Sequence, residues 1–227
     1  MKNTTFSAHQ ISFCPWIGFW KKIYDSDYFD LSIYDQFTDH TWIHYTYIGN
    51  SSKKIKWKLP VEEEYIKHHT KYSIKDVKVK DGFSDLMLKQ FYDVHHNDKY
   101  FEYIYPLLID WLKSVENLKS LWLINFVLID KIYNYLQLNT KLAILPYTDD
   151  TETITSKIIE QTLSLKCNCY LSGPHGINYL DESMFNSSNI KLIYQDTGFL
   201  YENYPQSIVS LISMYGINFV IELLKNH

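Results

Sequence analysis

The sequence predicts an α/β fold: a mainly parallel sheet with helices on both faces, a β-hairpin near residues 41–61 and a helical middle section. Three observations predict it. Short apolar runs alternate with helical stretches at both ends of the chain, as in parallel strands joined by crossover helices. Residues 41–61 keep a period of two across a turn, the pattern of a hairpin. From Ser84 to about residue 136 apolar residues recur at helical spacing.

Residues 8–13, AHQISF, read as the first strand, and residues 16–27 as a short helix begun near Pro15, a residue type favoured in a helix's first turn. A second strand follows at about residues 28–34. TWIHYTYIG, the turn GNSSK and KIKWKLPV make the hairpin, and residues 72–80 alternate in the same way before a turn at 80–82. Leu86, Leu88, Phe91 and Tyr92, then Ile104, Leu108, Trp111 and Leu112, fall on helical faces, and residues 118–136 do so again. The remainder reads as a strand at 141–147, a helix at 151–166 behind a threonine-rich cap, strands at 169–173 and 191–196, and one final helix over 207–226. No repeat or linker marks a boundary, so residues 1–227 are expected to form a single domain with its helical segment at about 84–136.

Composition narrows the function. With 22 Lys+Arg against 26 Asp+Glu the net charge is -4, which gives no basic field for nucleic acid, and none is expected as a partner. All 22 basic residues are lysine. A phosphate or carboxylate must therefore be held by lysine, histidine, hydroxyls or backbone N–H groups, not by a bidentate guanidinium. Cys14, Cys167 and Cys169 make neither a disulfide framework nor a zinc-like ligand set, so a reducing compartment and no metal are expected. No uninterrupted apolar run approaches a membrane span, and MKNTTFSAHQ lacks the apolar core of a leader. The chain is expected to be soluble and cytoplasmic, without stable membrane insertion.

Three stretches hold the residue types of a site. In HQISFCPWIG, residues 9–18, His9 and Gln10 precede a Pro-Trp-x-Gly turn into a helix, where Gly18 suits close approach of a ligand to the helix N-terminus. The structural alternative is that Pro15 only starts the helix and Trp16, Phe19 and Trp20 pack in the core. In residues 34–50, Asp35, Gln36, Asp39, His40 and His44 cluster beyond a predicted strand, where ligands of open α/β sheets bind, although a polar turn reads the same way. His44 has the residue type of a general base. In residues 169–185, Ser172, Gly173 and His175 form a loop able to cradle a phosphate, or an ordinary turn. The adjacent pairs His68-His69 and His95-His96 are expected to be solvated, because neighbouring side chains diverge.

Taken in order, HQISFCPWIGFWKKI, then DYFDLSIYDQFTDHTWIHYTYIG with KWKLPV, then CYLSGPHGINYLDESMFNSSNIKLIYQD with YPQ resemble the WbqC-like protein family of bacterial surface-polysaccharide gene clusters. The resemblance runs over nearly the whole chain. His9, Gln10, Pro15, Trp16 and Gly18 carry the opening motif, and residues 170–173 and 179–181 carry later elements. The chain departs from the pattern at Ile11, where the family has proline, at Tyr45, where an arginine is expected, and at Ser210, where an acidic residue is usual.

The resemblance implies transfer of an acyl group, glycine having been proposed, onto an amino sugar during O-antigen (lipopolysaccharide) or capsule synthesis. The expected protein is an N-acyl or aminoacyl transferase acting on a nucleotide-linked amino sugar. His9 and His44 are the candidate bases, and Gln10, Trp16, Gly18, Asp35, Gln36, Tyr45, Ser172, Gly173 and His175 the candidate substrate contacts. The second substrate is left open between an acyl donor such as acyl-CoA and ATP, and a homodimer is left open as well. Two alternatives stand beside this reading. One is an ATP-dependent, carboxylate-adenylating amide ligase, from the likeness of the strand-turn-helix opening to HIGH-type nucleotidyl transferases, with Phe19 where the second histidine would stand. The other is a noncatalytic nucleotide-sugar-binding partner that stacks sugars on its aromatic residues.

Overall fold

The computed structural model describes residues 3–50, 53–146 and 153–227. Strand β1 (Thr5–Gln10) turns into α1 (Ile17–Tyr24) and then into β2 (Tyr28–Ser32), which lies parallel to it with Ala8 beside Asp30 and His9 beside Leu31. The hairpin β3 (Tyr45–Gly49) and β4 (Lys54–Lys58) forms a separate antiparallel sheet. The helical middle comprises α2 (Glu63–Lys67), α3 (Ser84–His95), α4 (Phe101–Val115) and α5 (Leu121–Tyr135). Beyond it come β5 (Lys141–Ala143), α6 (Ile154–Ser164), β6 (Cys169–Ser172), α7 (Glu182–Ser187) and β7 (Lys191–Tyr194). Helices α8 (Gly198–Asn203), α9 (Ile208–Tyr215) and α10 (Ile217–Asn226) end the chain.

The main sheet has the order β5-β2-β1-β6-β7, and every pairing in it is parallel. The α/β class, the hairpin and the helical middle agree with the sequence expectation. Strand order reverses between β1 and β6: the chain builds outward through β2 and β5 on one side and through β7 on the other. Connections diverge at such a point and open a crevice at the carboxyl ends of the strands.

Alternation along the strands divides the core. Phe29 and Leu31 of β2 join Ile17 and Trp20 of α1 and the buried faces of α4, α5, α9 and α10. Phe6 of β1 and Tyr170 of β6 pack instead with Ile158 and Ile159 of α6 and Phe185 of α7. Because side chains two apart share a face, Ala8 and its neighbour Asp30 belong to the α6 side, whereas His9 belongs to the α1 side, where its ring meets Phe19 at 5.2 Å.

Several boundaries differ from the sequence reading. Residues 11–13 leave the first strand for a turn, with Ile11 N–H donating to Ser32 O and Phe13 N–H to Trp42 O, both at 3.0 Å. The alternation of residues 72–80 buries Ile74, Val77 and Val79 without forming a strand. A 3-10 turn at Ile74–Asp76, closed by a Ser73–Asp76 capping box, and the single bridges Val61 to Val79 and Lys78 to Ser120 take its place. The expected strand at 141–147 is confined to Lys141–Ala143, and residue 147 lies outside the described residues, as do residues 151 and 152 of the expected helix. That helix is capped by Thr153, whose Oγ1 accepts Ser156 N–H at 3.0 Å. The short helices α2, α7 and α8 hold five or six residues each, too few to show a helical period. Among the described residues no single helix is long and apolar enough to cross a membrane.

The final helix is two helices, α9 and α10, bent by 119° at Gly216. Gly216 has φ 86° and ψ 162°, a region nearly closed to other residues, and a Cβ there would lie 3.0 Å from the Tyr100 ring. Gly216→Ala is expected to lower stability by on the order of 1–3 kcal/mol, read as a shift of the urea midpoint at unchanged slope.

Candidate functional site at the carboxyl edge of the sheet

A cavity of about 1260 Å³ opens over the carboxyl ends of β1, β2, β6 and β7 and takes residues from α1 and α6. Nine of the predicted site residues line it: His9, Gln10, Trp16, Gly18, Asp35, Gln36, Ser172, Gly173 and His175. Its shape depends on the turn after β1. Cys14, at φ 38°, occupies the left-handed region and is fixed there by Ser207, whose hydroxyl donates to Cys14 O at 2.6 Å. Pro15 O accepts from Ile208 N–H and from Trp20 Nε1–H, both at 3.1 Å. Gly18 O accepts from Gln195 Nε2 at 2.9 Å. Residues distant in sequence thus satisfy the backbone of the turn.

On the α1 side lie His9 and Lys22. His9 is exposed to the cavity; the protein packed around it, followed by the charge of Lys22, lowers its pKa below the ordinary imidazole value. His9 Nδ1 lies 2.8 Å from Gln10 O. A carbonyl only accepts, so Nδ1 carries the hydrogen and Nε2 the lone pair. Lys22 is 3 % exposed and donates to Ala8 O at 2.8 Å; its burial lowers the amine to about 7.

On the α6 side lie Asp30, Asp35, Tyr170 and Lys157. Burial raises the Asp30 carboxyl to about 6 and the charge of Asp35 adds to the rise, while Leu145 N–H, donating to Oδ1 at 2.8 Å, and the charge of Lys157 oppose it. Tyr170 is also held well above an ordinary phenol, first by burial and then by Tyr179, Asp30 and Asp35. This side is acidic and enclosed, which suits a cation. At the mouth, Trp16 meets Trp42 and Tyr201 edge-on, each at 5.9 Å between ring centres.

Two predicted residues lie away from the cavity. His44 is fully buried behind Phe37 and Tyr45. Its Nε2 is 3.1 Å from Asp39 Oδ1, within ion-pair range but without hydrogen-bond geometry. Burial first, then Lys58 and Lys56 against the opposing Asp39, lowers its pKa to about 4. It is a core histidine without access to substrate, which corrects its reading as a base. Tyr45 is buried as well: its hydroxyl donates to His40 O at 3.1 Å and Lys56 Nζ stands 3.6 Å from its ring centre. It anchors the loop before the hairpin and is not a substrate contact.

Three other predicted roles change. The space beside Gly18 is filled by the indole of Trp16, 2.3 Å from where a Cβ would stand; the glycine admits that ring, not a ligand. Gly176 similarly makes room for Ser172 Oγ, which donates to Gly173 O at 3.0 Å and so has its proton engaged. In the same loop Gly176 N–H is bonded to Gly173 O at 3.0 Å and Pro174 has no N–H, which leaves a poorer phosphate cradle than composition suggested. Of the expected solvated histidines, His95 is buried between Asp98 and Ser210, at 2.6 and 2.9 Å. Cys14 is buried and its thiol is pushed well up by burial, so it supplies no thiolate nucleophile.

Sequence reasoning missed Lys22, Asp30 and Gln195. Asp30 had a readable signal, an acid in the middle of the apolar strand YFDLS, and so did Lys22, beside the apolar face of a helix. Gln195 carried none, because its role depends on reaching Gly18 O from another strand.

Two stability measurements follow. The unfolded chain protonates Lys22 up to about pH 10.5, an ordinary lysine value, whereas the folded chain loses that proton near 7. This contribution to stability therefore rises with pH between 7 and 10.5. Lys22→Met is expected to stabilise the protein at pH 7 by on the order of 2 kcal/mol, with the gain shrinking as pH approaches 10.5. For His44 the folded pKa is also the lower one, so stability is lost as pH falls from 6.5 to 4. His44→Phe should flatten that slope by up to about 1.4 kcal/mol per pH unit, measured by denaturant melts at each pH.

The chain matches the WbqC-like protein family model over residues 10–216. No curated protein and no solved structure matches it. The matched stretch includes the turn after β1, the helical middle and the loop after β6, and nearly the whole cavity lining falls within it. The chain belongs to the WbqC-like protein family.

Proposed function

We propose that the protein transfers an acyl or aminoacyl group to the amine of a nucleotide-linked amino sugar in the synthesis of a surface polysaccharide, O-antigen or capsule. The observation that carries this reading is the division of one cavity by β1 into an acidic side and a side with two nitrogen bases. Asp30 and Asp35 suit the sugar ammonium. The ammonium first gives one proton to a carboxylate of this pair and on to water. The amine then adds to the acyl carbonyl, and collapse of the tetrahedral intermediate expels the thiolate or adenylate of the donor. That intermediate carries a second N–H proton far more acidic than that of the free amine. His9, uncharged at neutral pH with its lone pair on Nε2, accepts that proton over the end of β1. Gln10, at the end of β1 in the cavity lining, is the side-chain donor available to the developing oxyanion. A cavity of about 1260 Å³ exceeds what a drug-sized ligand needs, roughly 300–1,000 Å³, and accommodates a nucleotide sugar with part of an acyl donor. Trp42 and Tyr201 provide aromatic faces for a base or sugar ring, and Lys157 and His175 provide nitrogen groups for phosphate in a chain that has no arginine.

Purified protein is expected to convert a nucleotide-linked 4-amino sugar to its amide when supplied with an acyl donor. The panel includes acyl-CoA thioesters and glycine with ATP, and pyrophosphate release in the ATP arm marks the adenylating variant of the reaction. His9→Ala should fold normally and lose about 10² to 10⁴ in rate. Asp30→Asn should raise the KM for the amine with a smaller effect on kcat. No turnover across the panel, or full activity in His9→Ala, contradicts the reading.

A further inference from the structure

Lys22 is a buried amine without a counter-ion. Its neighbour Lys21 pairs with Asp25, but among the described residues no carboxylate pairs with Lys22, and desolvation is the whole cause of its shift. Structural lysines usually extend their charge to water or pair it. Lys22 instead ends on Ala8 O at 2.8 Å at the wall of the cavity. As an ammonium it would hold two further N–H donors in a desolvated place; as an amine it presents a lone pair. Besides Lys22, the titratable groups that line the cavity are His9, Asp30, Asp35, His40, Lys157, Tyr170, His175, Tyr179, Asp196 and Tyr201, and His9 feels the charge of Lys22. His9 shares its side of the sheet, and His9 Nδ1–H is already committed to Gln10 O. Asp30 and its neighbour Asp35 stand across β1, so Lys22 borders the cavity as a buried amine that no carboxylate pairs among the described residues.

We propose that Lys22 is a nucleophilic amine that condenses with an aldehyde or ketone carbon of a ligand held on the α1 side of the cavity. The Nζ lone pair forms the bond to carbon as the carbonyl π bond breaks. One amine proton passes to that oxygen to give the carbinolamine, with His9 Nε2 as the relay. The second leaves with the hydroxyl as water, so the product is a neutral imine that needs no oxidant or reductant. This site stands apart from the acyl-transfer reading, because imine formation requires only a carbonyl ligand.

The test uses the full chain at pH 7 with glycolaldehyde as the carbonyl probe, cyanoborohydride to reduce the imine, and peptide mass spectrometry to locate the adduct. An ordinary lysine is neutral at that pH in only about 3 molecules in 10,000. Lys22 is therefore expected to be modified at least about tenfold faster than exposed lysines such as Lys99, with a rate that titrates near pH 7. In Lys22→Met the fast adduct should disappear while slow surface labelling continues. Lys22→Arg, which keeps a cation of similar length, should abolish it too. Modification spread over exposed lysines with Lys22 unmodified or no faster than they are, or a Lys22 rate that titrates above pH 9, overturns the proposal. The wild-type comparison decides the matter even if a variant does not fold, and a negative transfer assay leaves it unaffected.

Discussion

The cavity depends on how the backbone between β1 and α1 is satisfied. Six residues separate the last residue of β1 from the first of α1, and they turn through a left-handed Cys14 that would be costly if left unsupported. The support comes from far along the chain. Ser207 holds Cys14 O, Ile208 N–H holds Pro15 O, and Ser207 N–H reaches Tyr47 O at 2.8 Å, which ties the turn to the hairpin. Gln195 adds a hold on Gly18 O from the end of β7. The position of α1 over the sheet, and with it the burial of Lys22 and Phe19, therefore requires the C-terminal third of the chain to be in place. Each such bond contributes only about 0.5–1.5 kcal/mol net, but an unmet buried carbonyl would cost more than that, so the set acts together.

That geometry also separates charge. One strand, β1, sends Ala8 and its neighbour Asp30 to one face and His9 to the other. Acid groups collect on the α6 side and nitrogens whose pKa lies below the ordinary value on the α1 side, although both open to the same crevice. With no arginine in the chain, no guanidinium neutralises the acids, and burial raises Asp30 instead. A buried lysine and a pair of acids in proximity lower stability, and their retention at the carboxyl edge of a parallel sheet is the arrangement expected where function outweighs stability.

Much of this was legible in the sequence where a period is long enough to read. The helical middle repeats over many turns, and the hairpin alternates on both strands. The turn after the first strand was legible from residue type, since Pro15, Trp16 and Gly18 have few uses in a plain strand-to-helix passage. What escaped depends on contacts between distant residues. Gly18 is there for the Trp16 ring, a local fit that a motif does not reveal. His44 looked like a base because of its neighbours in sequence, yet the bend just before β3 packs it against Phe37 and Tyr45 in the core. Gly216 sits in an apolar run whose period continues past it, and only its backbone conformation shows the break.

Under the proposed function, the acidic side of the cavity recognises a free amine on a nucleotide-linked sugar. This recognition is tested most directly by calorimetry at pH 7 with one uridine-diphosphate-linked 4-amino sugar and its N-acetylated counterpart, which differ only in the charge and size of that group. The amine is expected to bind at least about tenfold more tightly, a difference of about 1.4 kcal/mol. Equal affinity for the two sugars, tighter binding of the N-acetylated one, or binding of neither would contradict it.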